Sequence, residues 1–118
     1  MHLKRTQSHG VWDRSIPPVI HVAPGDRVVV EIENASGGQL HANSDASAIA
    51  ALDFARINPV TGPIFVDSAQ PGDALVVEIL ELDVDAWGWT ASIPGFGLLA
   101  DRFTAPALRT SRIANGAI

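Results

Sequence analysis

The sequence contains no cysteine, and this absence excludes several kinds of chemistry. A thiolate nucleophile, a thiolate metal site and a disulfide framework all require that residue. The absence of cysteine also fits a reducing cytosol. No apolar run approaches the roughly 18 residues of a membrane span, and residues 1–10 lack the apolar core of a signal peptide. We therefore expect a cytoplasmic protein that has no membrane partner.

Positive charge is scarce. Eight Lys and Arg residues stand against 13 Asp and Glu residues, so the formal net charge is −5. A nucleic-acid backbone is bound through a basic patch, and the acidic balance argues against such a partner. The 118 residues are enough to bury one hydrophobic core, and we expect a single domain over residues 1–118.

A repeated pattern of turn and strand organises the chain. Pro24-Gly25-Asp26 and Pro71-Gly72-Asp73 each precede a run of Val, Leu and Ile that ends in Glu-Ile. Proline fixes φ, glycine permits positive φ and aspartate can bond its own backbone, so each tripeptide predicts a turn. The β-branched runs favour strands. Strands are predicted at residues 19–22, 28–33, 64–66 and 74–82.

Helical character is confined to residues 39–56. Ser44 or Asp45 could cap a short helix over residues 46–52, because Ser and Asp side chains accept bonds from the first free N–H groups of a helix. Together with the many predicted short strands, this indicates an all-β fold, a β-sandwich of short strands with one short helix.

Two histidines are candidates for chemistry. His9 lies beside Gly10 in a predicted loop, where its side chain could face a cleft. His41, Asn43 and Asp45 alternate, so on a strand they would share one face and could present a metal or proton-transfer cluster. The alternative is that these three are surface residues at a helix start, with Asp45 as the cap.

An acidic residue and an aromatic group are further candidates. Asp53 stands between Leu52 and Phe54, where a buried carboxylate would need a partner. It is either a fold-specifying group or a site residue. Trp87, Trp89 and Phe96 lie near a glycine-rich loop, and they form either core or a pocket wall beside backbone N–H groups that could bind an oxyanion.

A series of motifs follows in a fixed order between residues 5 and 103. They are HGVWD at 9–13, IPP at 16–18, the two PGD turns, LDF at 52–54, NPVTGPIFV at 58–66, GWT at 88–90 and PGFG at 94–97. In order and spacing this series resembles the acetamidase/formamidase family of linear-amide hydrolases.

The resemblance implies a cytoplasmic β-sandwich enzyme that hydrolyses acetamide or formamide to ammonia and the carboxylate. It also implies a bound divalent metal, either zinc or calcium. The predicted catalytic residues are His9, Asp53, Asn58 and Thr61, with Asn58 in an orienting role. The predicted substrate-binding residues are Trp87, Trp89, Gly95 and Phe96, and the predicted metal ligands are His9 and Asp45.

The chain is shorter than members of this family, and the resemblance covers only their first part. It is a piece of a longer protein, one subunit of a split enzyme, or a stand-alone domain. Strand edges that the remainder would cover predict a homo-oligomer or a second chain. A non-catalytic β-sandwich interaction module is the alternative function. A small-ligand binder that uses the pocket of Trp87 and Trp89 is a third.

Overall fold

Short strands account for most of the regular structure. The structure, a computed structural model, describes residues 1–115. Contacts divide the chain into two units: the first comprises Met1–Gly38 and Phe54–Glu78, and the second comprises Gln39–Asp53 and the residues from Ile79 onward. The predicted all-β class with one short helix is confirmed. No helix among the described residues is long and apolar enough to cross a membrane.

The first unit contains three strand pairs. Its strands are β1 (His2–Leu3), β2 (Ser8–His9), β3 (Ile20–Val22), β4 (Val29–Val30), β5 (Val60–Thr61) and β6 (Ile64–Val66). β1 pairs with β4 and β3 with β6 in parallel, whereas β2 and β5 are antiparallel. A 3-10 turn over Phe54–Arg56 precedes β5. β6 has the bounds that the sequence predicts.

The two PGD turns have the same internal hydrogen bonds. In the first, the Asp26 carboxylate accepts a 2.8 Å bond from the backbone N–H of Ala23, and in the second Asp73 accepts a 2.8 Å bond from Gln70. The glycines between them have φ of 91° at Gly25 and 102° at Gly72. Positive φ after proline is the geometry of a type II turn, and both turn predictions are confirmed.

The core of the first unit is small. Leu3 and Val22 are buried, and Ser36 is the buried polar residue of this unit in the described part of the chain. The backbone N–H of Ser36 donates a 3.0 Å bond to the side chain of Asn34. A polar group that is taken out of water needs such a partner, so the bond offsets the cost of burying this loop.

The second unit contains a helix and a hairpin-like pair. Its elements are α1 (Ser47–Ala50), β7 (Trp87–Ser92) and β8 (Ala107–Arg112). β7 and β8 pair antiparallel over six residues. Leu40 and Ile49 are buried here. The helix is shorter than predicted, and Asp45 stabilises its start by accepting a 2.9 Å bond from the backbone N–H of Ser47.

Two of the predicted strands are wrong in extent. Residues 28–33 form a strand only at Val29–Val30, and residues 74–82 form none. A strand is defined by its ladder partner, and the β-branched run 74–82 has no partner among the described residues. β8 was not predicted, because its sequence alternates only weakly between apolar and polar residues.

His41 does not lie on a strand. Its carbonyl accepts a 2.9 Å bond from the backbone N–H of Ser44, and its own N–H donates a 2.9 Å bond to the Ser44 hydroxyl. These bonds close a turn at His41, so the predicted alternation of His41, Asn43 and Asp45 on one strand face is wrong. The single domain over residues 1–118 stays a prediction.

Candidate active site

The strand pair β2–β5 contains two of the predicted catalytic residues, His9 and Thr61, and Asn58 precedes β5 in the same unit. In its antiparallel register Ser8 faces Thr61 and His9 faces Val60. The backbone N–H of Gly62 extends the pair with a 2.9 Å bond to the carbonyl of Gln7. The HGVWD and NPVTGP motifs, far apart in sequence, are therefore neighbours in this unit.

The ring of His9 is held in one tautomer. Its Nδ1 lies 2.8 Å from the carbonyl oxygen of Val11. A carbonyl oxygen only accepts, so Nδ1 must carry the hydrogen and donate it. In the neutral ring this places the lone pair on Nε2, which is the nitrogen that a general base or a metal ligand would use. His9 is the last residue of β2, and the carbonyl of Val11, two residues later, is the acceptor that fixes the ring.

His9 lines a cleft of about 440 Å³, which we call the His9 cleft. Its lining is Arg5, Thr6, Ser8, His9, Gly10, Glu33, Gly37, Ala55, Arg56 and Pro59. Two arginines and one glutamate therefore line the cleft with the histidine. The cleft is wide open to solvent, so it can admit a small molecule without enclosing it.

A close backbone approach shapes one wall of the His9 cleft. A Cβ built on Gly37 would lie 2.0 Å from the carbonyl oxygen of Arg56, and φ at Gly37 is 67°. Only glycine tolerates both the distance and the conformation. Gly37 thus allows the 3-10 turn to approach the loop that follows Glu33.

Glu33 is oriented by its neighbour. Its Oε1 accepts a 2.9 Å bond from the backbone N–H of Asn34 and a 3.1 Å bond from the Asn34 carboxamide. Sequence reasoning missed Arg5, Glu33 and Arg56 as members of the cleft. The glycine pair Gly37-Gly38 was the one signal in the sequence that could have pointed to this wall of the cleft.

Asn58 and Thr61 stand next to the cleft and do not line it. Asn58 has φ of 51°, and its backbone N–H donates a 2.8 Å bond to the carbonyl of Ala35. The left-handed region is more accessible to asparagine than to most residues. The hydroxyl of Thr61 donates a 2.7 Å bond to the backbone carbonyl of Glu31. The two bonds stabilise the backbone on either side of Pro59, so both residues have a structural role there.

The remaining candidates belong to the second unit. Asp53 is exposed, so its expected burial is wrong. Its backbone is held on both sides by the side chain of Gln39, which accepts a 2.8 Å bond from the Asp53 N–H and donates a 3.0 Å bond to its carbonyl. Asp45 is exposed as well, and hydrogen bonds from Ser47 lower the pKa of its carboxyl, the hydroxyl bond having the larger effect.

The aromatic candidates lie on and after β7. Trp87 and Trp89 are half-buried and, two apart on a strand, lie on the same side of it. Gly95 has φ of 77° in a turn that the backbone N–H of Phe96 closes with a 3.0 Å bond to Ile93. The N–H of Phe96 is used within that turn. An oxyanion donor in this loop stays a prediction for the N–H groups of Gly95 and Gly97.

The predicted metal ligands do not form a complete set. Within residues 1–115, no group of three or more His, Cys, Asp or Glu side chains is arranged to hold a metal ion. Nε2 of His9 is suited to be one ligand, but three protein ligands are usual for a catalytic zinc. The predicted ligands among residues 1–115 alone do not fit a metal site.

The chain is similar to known proteins over most of its length. The acetamidase/formamidase family model matches residues 1–117. A formamidase from Methylophilus methylotrophus is 36% identical over 103 residues, which are 82% of this chain and 25% of the relative. An acetamidase from Mycolicibacterium smegmatis is 31% identical over 108 residues, which are 80% of this chain and 27% of that protein. The chain thus spans about a quarter of the length of these curated relatives.

Solved structures share the fold. An acetamidase from Bacillus halodurans matches with a TM-score of 0.89 and 29% identity. The match covers 98% of this chain and 38% of the acetamidase chain. A gamma lactamase from Delftia acidovorans matches with a TM-score of 0.86 and 27% identity. This match covers 94% of this chain and 29% of the lactamase chain. With the family model matched over almost every residue, the chain belongs to the acetamidase/formamidase family.

Proposed function

We propose that this chain carries the His9 cleft of a hydrolase that cleaves the carbon–nitrogen bond of short linear amides, acetamide and formamide. Family membership supports the reaction class. The observation that carries the proposal is the 2.8 Å contact between Nδ1 of His9 and the carbonyl of Val11, because in the neutral ring it directs the lone pair to Nε2 in the His9 cleft. The comparisons do not favour the alternative of a non-catalytic interaction module.

The proposed chemistry uses His9 first as a base and then as an acid. Nε2 takes a proton from a water molecule while the water oxygen bonds to the amide carbonyl carbon, and the carbonyl π electrons move to its oxygen. When the carbon–oxygen double bond re-forms, the carbon–nitrogen bond breaks. The proton on Nε2 passes to the leaving nitrogen, which departs as ammonia, and the carboxylic acid ionises.

Positive charge in the His9 cleft assists this sequence. Arg5 and Arg56 are among the residues that line the cleft, and a guanidinium is a planar donor group suited to a carboxylate or an oxyanion. A fixed cation near the carbonyl oxygen stabilises the negative charge that develops there. The same cations would hold the carboxylate product. Asn58 stays a prediction for orienting substrate, because it adjoins Pro59 of the cleft lining.

The other expectations from the family resemblance remain parts of this proposal. They are a divalent metal, zinc or calcium, a cytoplasmic location, and a second chain or further copies that complete the enzyme. Catalytic roles for Asp53 and Thr61 and substrate contacts by Trp87 and Trp89 also stay predictions.

Ammonia release tests the proposal. The purified chain is incubated with acetamide and with formamide, alone and together with the part of the Bacillus halodurans acetamidase that lies outside the match. Amide-dependent ammonia in either condition supports the function, and its absence in both overturns it. In the active condition His9→Gln should lower turnover by about a hundredfold or more, since general acid–base catalysis contributes that much.

His41→Gln is the matched control. His41 closes its turn through backbone atoms, so its ring can be replaced without loss of that turn. We expect wild-type turnover from this variant. If His9→Gln and His41→Gln release ammonia equally fast, His9 is not the base.

A further inference from the structure

Among the described residues that line the His9 cleft, Glu33 is the one that carries a carboxylate, and the proposed mechanism does not use it. The other lining residues include two arginines, His9, Thr6 and Ser8, and the whole lining belongs to the first unit. An ionised carboxylate accepts hydrogen bonds that are about twice as strong as those to a neutral acceptor. Glu33 therefore brings a strong acceptor to this cleft.

One oxygen of Glu33 is held in place. Oε1 accepts a 2.9 Å bond from the backbone N–H of Asn34 and a 3.1 Å bond from the Asn34 carboxamide. The carboxamide is itself fixed, because its oxygen accepts a 3.0 Å bond from the backbone N–H of Ser36 and a further bond from the Ser36 hydroxyl. Ser36 is 1% exposed. The direction of the Glu33 carboxylate is therefore set by hydrogen bonds that are anchored at a buried residue.

The second oxygen of Glu33, Oε2, has no partner within residues 1–115. Both hydrogen bonds of this carboxylate are made by Oε1. The ion pairs of the described residues use Glu31 and Asp67, so Glu33 is not paired with either arginine of the cleft. A Cβ built on Gly38 would lie 3.6 Å from Oε2, and the glycine leaves that position empty. Oε2 is therefore an oriented acceptor that is available to a donor on a ligand.

The proposed reaction supplies a donor of the matching kind. The nitrogen of acetamide or formamide carries two N–H groups, whereas the carbonyl oxygen only accepts. An ionised carboxylate donates nothing, so it attracts the nitrogen end of the amide and repels the carbonyl end. The nitrogen becomes more positive when it receives the proton from Nε2 of His9, and a nearby carboxylate stabilises that charge while the carbon–nitrogen bond breaks. Glu33 itself neither gains nor loses a proton.

We propose that Oε2 of Glu33 binds the N–H groups of the substrate amide and restricts the His9 cleft to amides whose nitrogen carries hydrogen. Glu33 is then a specificity-determining residue, and Asn34 positions it. This assignment rests on the proposed amide hydrolysis. It goes further in saying which end of the amide meets the carboxylate, and it predicts that full substitution of the nitrogen removes recognition.

Three isomeric amides test the assignment without turnover. Propionamide has two N–H groups, N-methylacetamide has one and N,N-dimethylformamide has none, yet all three contain the same atoms. Each is titrated into the isotope-labelled chain while the backbone amide signals of Gly10, Glu33 and Gly37 are followed by NMR. Propionamide should saturate the shifts at a concentration about tenfold lower than N,N-dimethylformamide, since a hydrogen bond to a charged group contributes that much. Equal saturation by these two isomers, or no shift with any of the three, would overturn the proposal.

Glu33→Gln is the sharpest variant, because the bonds from Asn34 decide how the new side chain is oriented. The two donors of Asn34 keep the glutamine oxygen at the position of Oε1. The glutamine nitrogen then takes the position of Oε2, so a donor replaces the acceptor. Affinity for propionamide should fall about tenfold, and affinity for N,N-dimethylformamide should stay the same. Glu81→Gln, the same chemical change outside the cleft lining, should keep the wild-type preference.

The NMR spectrum shows directly whether Glu33→Gln is folded. A folded variant that keeps the wild-type preference for propionamide contradicts the role of Glu33. If the variant does not fold, the comparison of the three isomers on the wild-type chain still decides, because it needs no substitution.

Turnover separates this assignment from the proposed function. In the active condition of the ammonia assay, Glu33→Gln should lower ammonia release from propionamide about tenfold and leave dimethylamine release from N,N-dimethylformamide unchanged. An equal effect on both isomers refutes the role of Glu33 while the hydrolase stands. If neither condition releases ammonia or amine, the proposed function fails, and the titrations alone decide whether Glu33 recognises an amide nitrogen.

Discussion

The hydroxyl of Thr61 donates a 2.7 Å hydrogen bond to the backbone carbonyl of Glu31, and the two residues are thirty positions apart in sequence. The bond ties β5 to the chain that follows β4. Because β5 pairs with β2, it also supports the position of His9. Thr61, a residue of the NPVTGP motif, therefore stabilises the strand pair that contains the candidate base His9.

Replacing Thr61 should reveal this structural role. Thr61→Val keeps the shape, removes the hydroxyl and leaves the carbonyl of Glu31 without its partner, so we expect a loss of about 1 kcal/mol in unfolding free energy. Thr61→Ser keeps the donor and should lose less. Urea denaturation of the three proteins measures the effect. If Thr61→Val is as stable as the wild type, the hydroxyl serves another purpose, and its predicted catalytic role gains weight.

Gly37→Ala should disrupt the His9 cleft. Its Cβ would meet the Arg56 carbonyl at 2.0 Å while the residue kept a positive φ. We expect a loss of about 3 kcal/mol, the sum of conformational strain and a forced backbone shift. Gly25→Ala is the matched control, since Gly25 has φ of 91° and nothing within 4 Å of its Cβ position. It should lose only about 1 kcal/mol. Equal losses would show that the approach to Arg56 does not matter.

The two PGD turns should respond alike to mutation. Asp26→Ala and Asp73→Ala each remove a carboxylate that accepts one backbone bond within its own turn. We expect similar, small decreases in the urea midpoint, because both turns lie in the first unit and have the same geometry. Asp101→Ala, a change of the same kind outside these turns, should leave the midpoint unchanged. A large difference between Asp26→Ala and Asp73→Ala would contradict their equivalence.

Stability should decrease in acid partly through Glu31. The backbone N–H of Arg5 donates to Oε2 of Glu31 over 3.2 Å and lowers the pKa of that carboxyl from its ordinary value of 4.5. Burial of the carboxyl opposes this shift, while the side chains of His2 and Arg5 add to it. Since the folded-state pKa is the lower one, the stabilisation is complete above about pH 4.5 and is lost as the pH falls through the folded-state value.

Melting temperatures between pH 7 and pH 3 measure this linkage. Glu31→Gln should flatten the acid limb of the profile, because the neutral amide does not titrate. Glu81→Gln is the control, since the Glu81 side chain accepts no hydrogen bond from residues 1–115. If the two variants have the same acid limb as the wild type, the bond from Arg5 does not stabilise the fold.

Local sequence was sufficient for features that depend on a few adjacent residues. The PGD turns follow from proline, glycine and aspartate in order, and strand β6 follows from the run Ile64–Val66. The all-β class follows from the sum of such signals. None of these features needed knowledge of a distant partner.

Features that depend on a partner could not be read in the same way. Residues 28–33 and 74–82 have nearly the same composition, yet only the first forms a ladder, because Met1 and Leu3 lie beside it. His9 and His41 could not be distinguished by type. A carbonyl two residues away fixes the ring of His9, whereas Ser44 closes a turn at His41. The presence of Arg5 and Arg56 in one cleft depends on the close approach at Gly37, which no periodicity reports.

The acidic residues between Glu78 and Asp85 have a consequence for the behaviour of the chain in salt. Exposed apolar side chains such as Val76 and Leu80 favour association between molecules, and charged residues among them act as gatekeepers. Mutual repulsion of Glu78, Glu81 and Asp83 between molecules should oppose that association. The repulsion is screened by salt, since the Debye length shortens from about 10 Å at 0.1 M to about 3 Å at 1 M. The chain should therefore precipitate more readily as ionic strength rises.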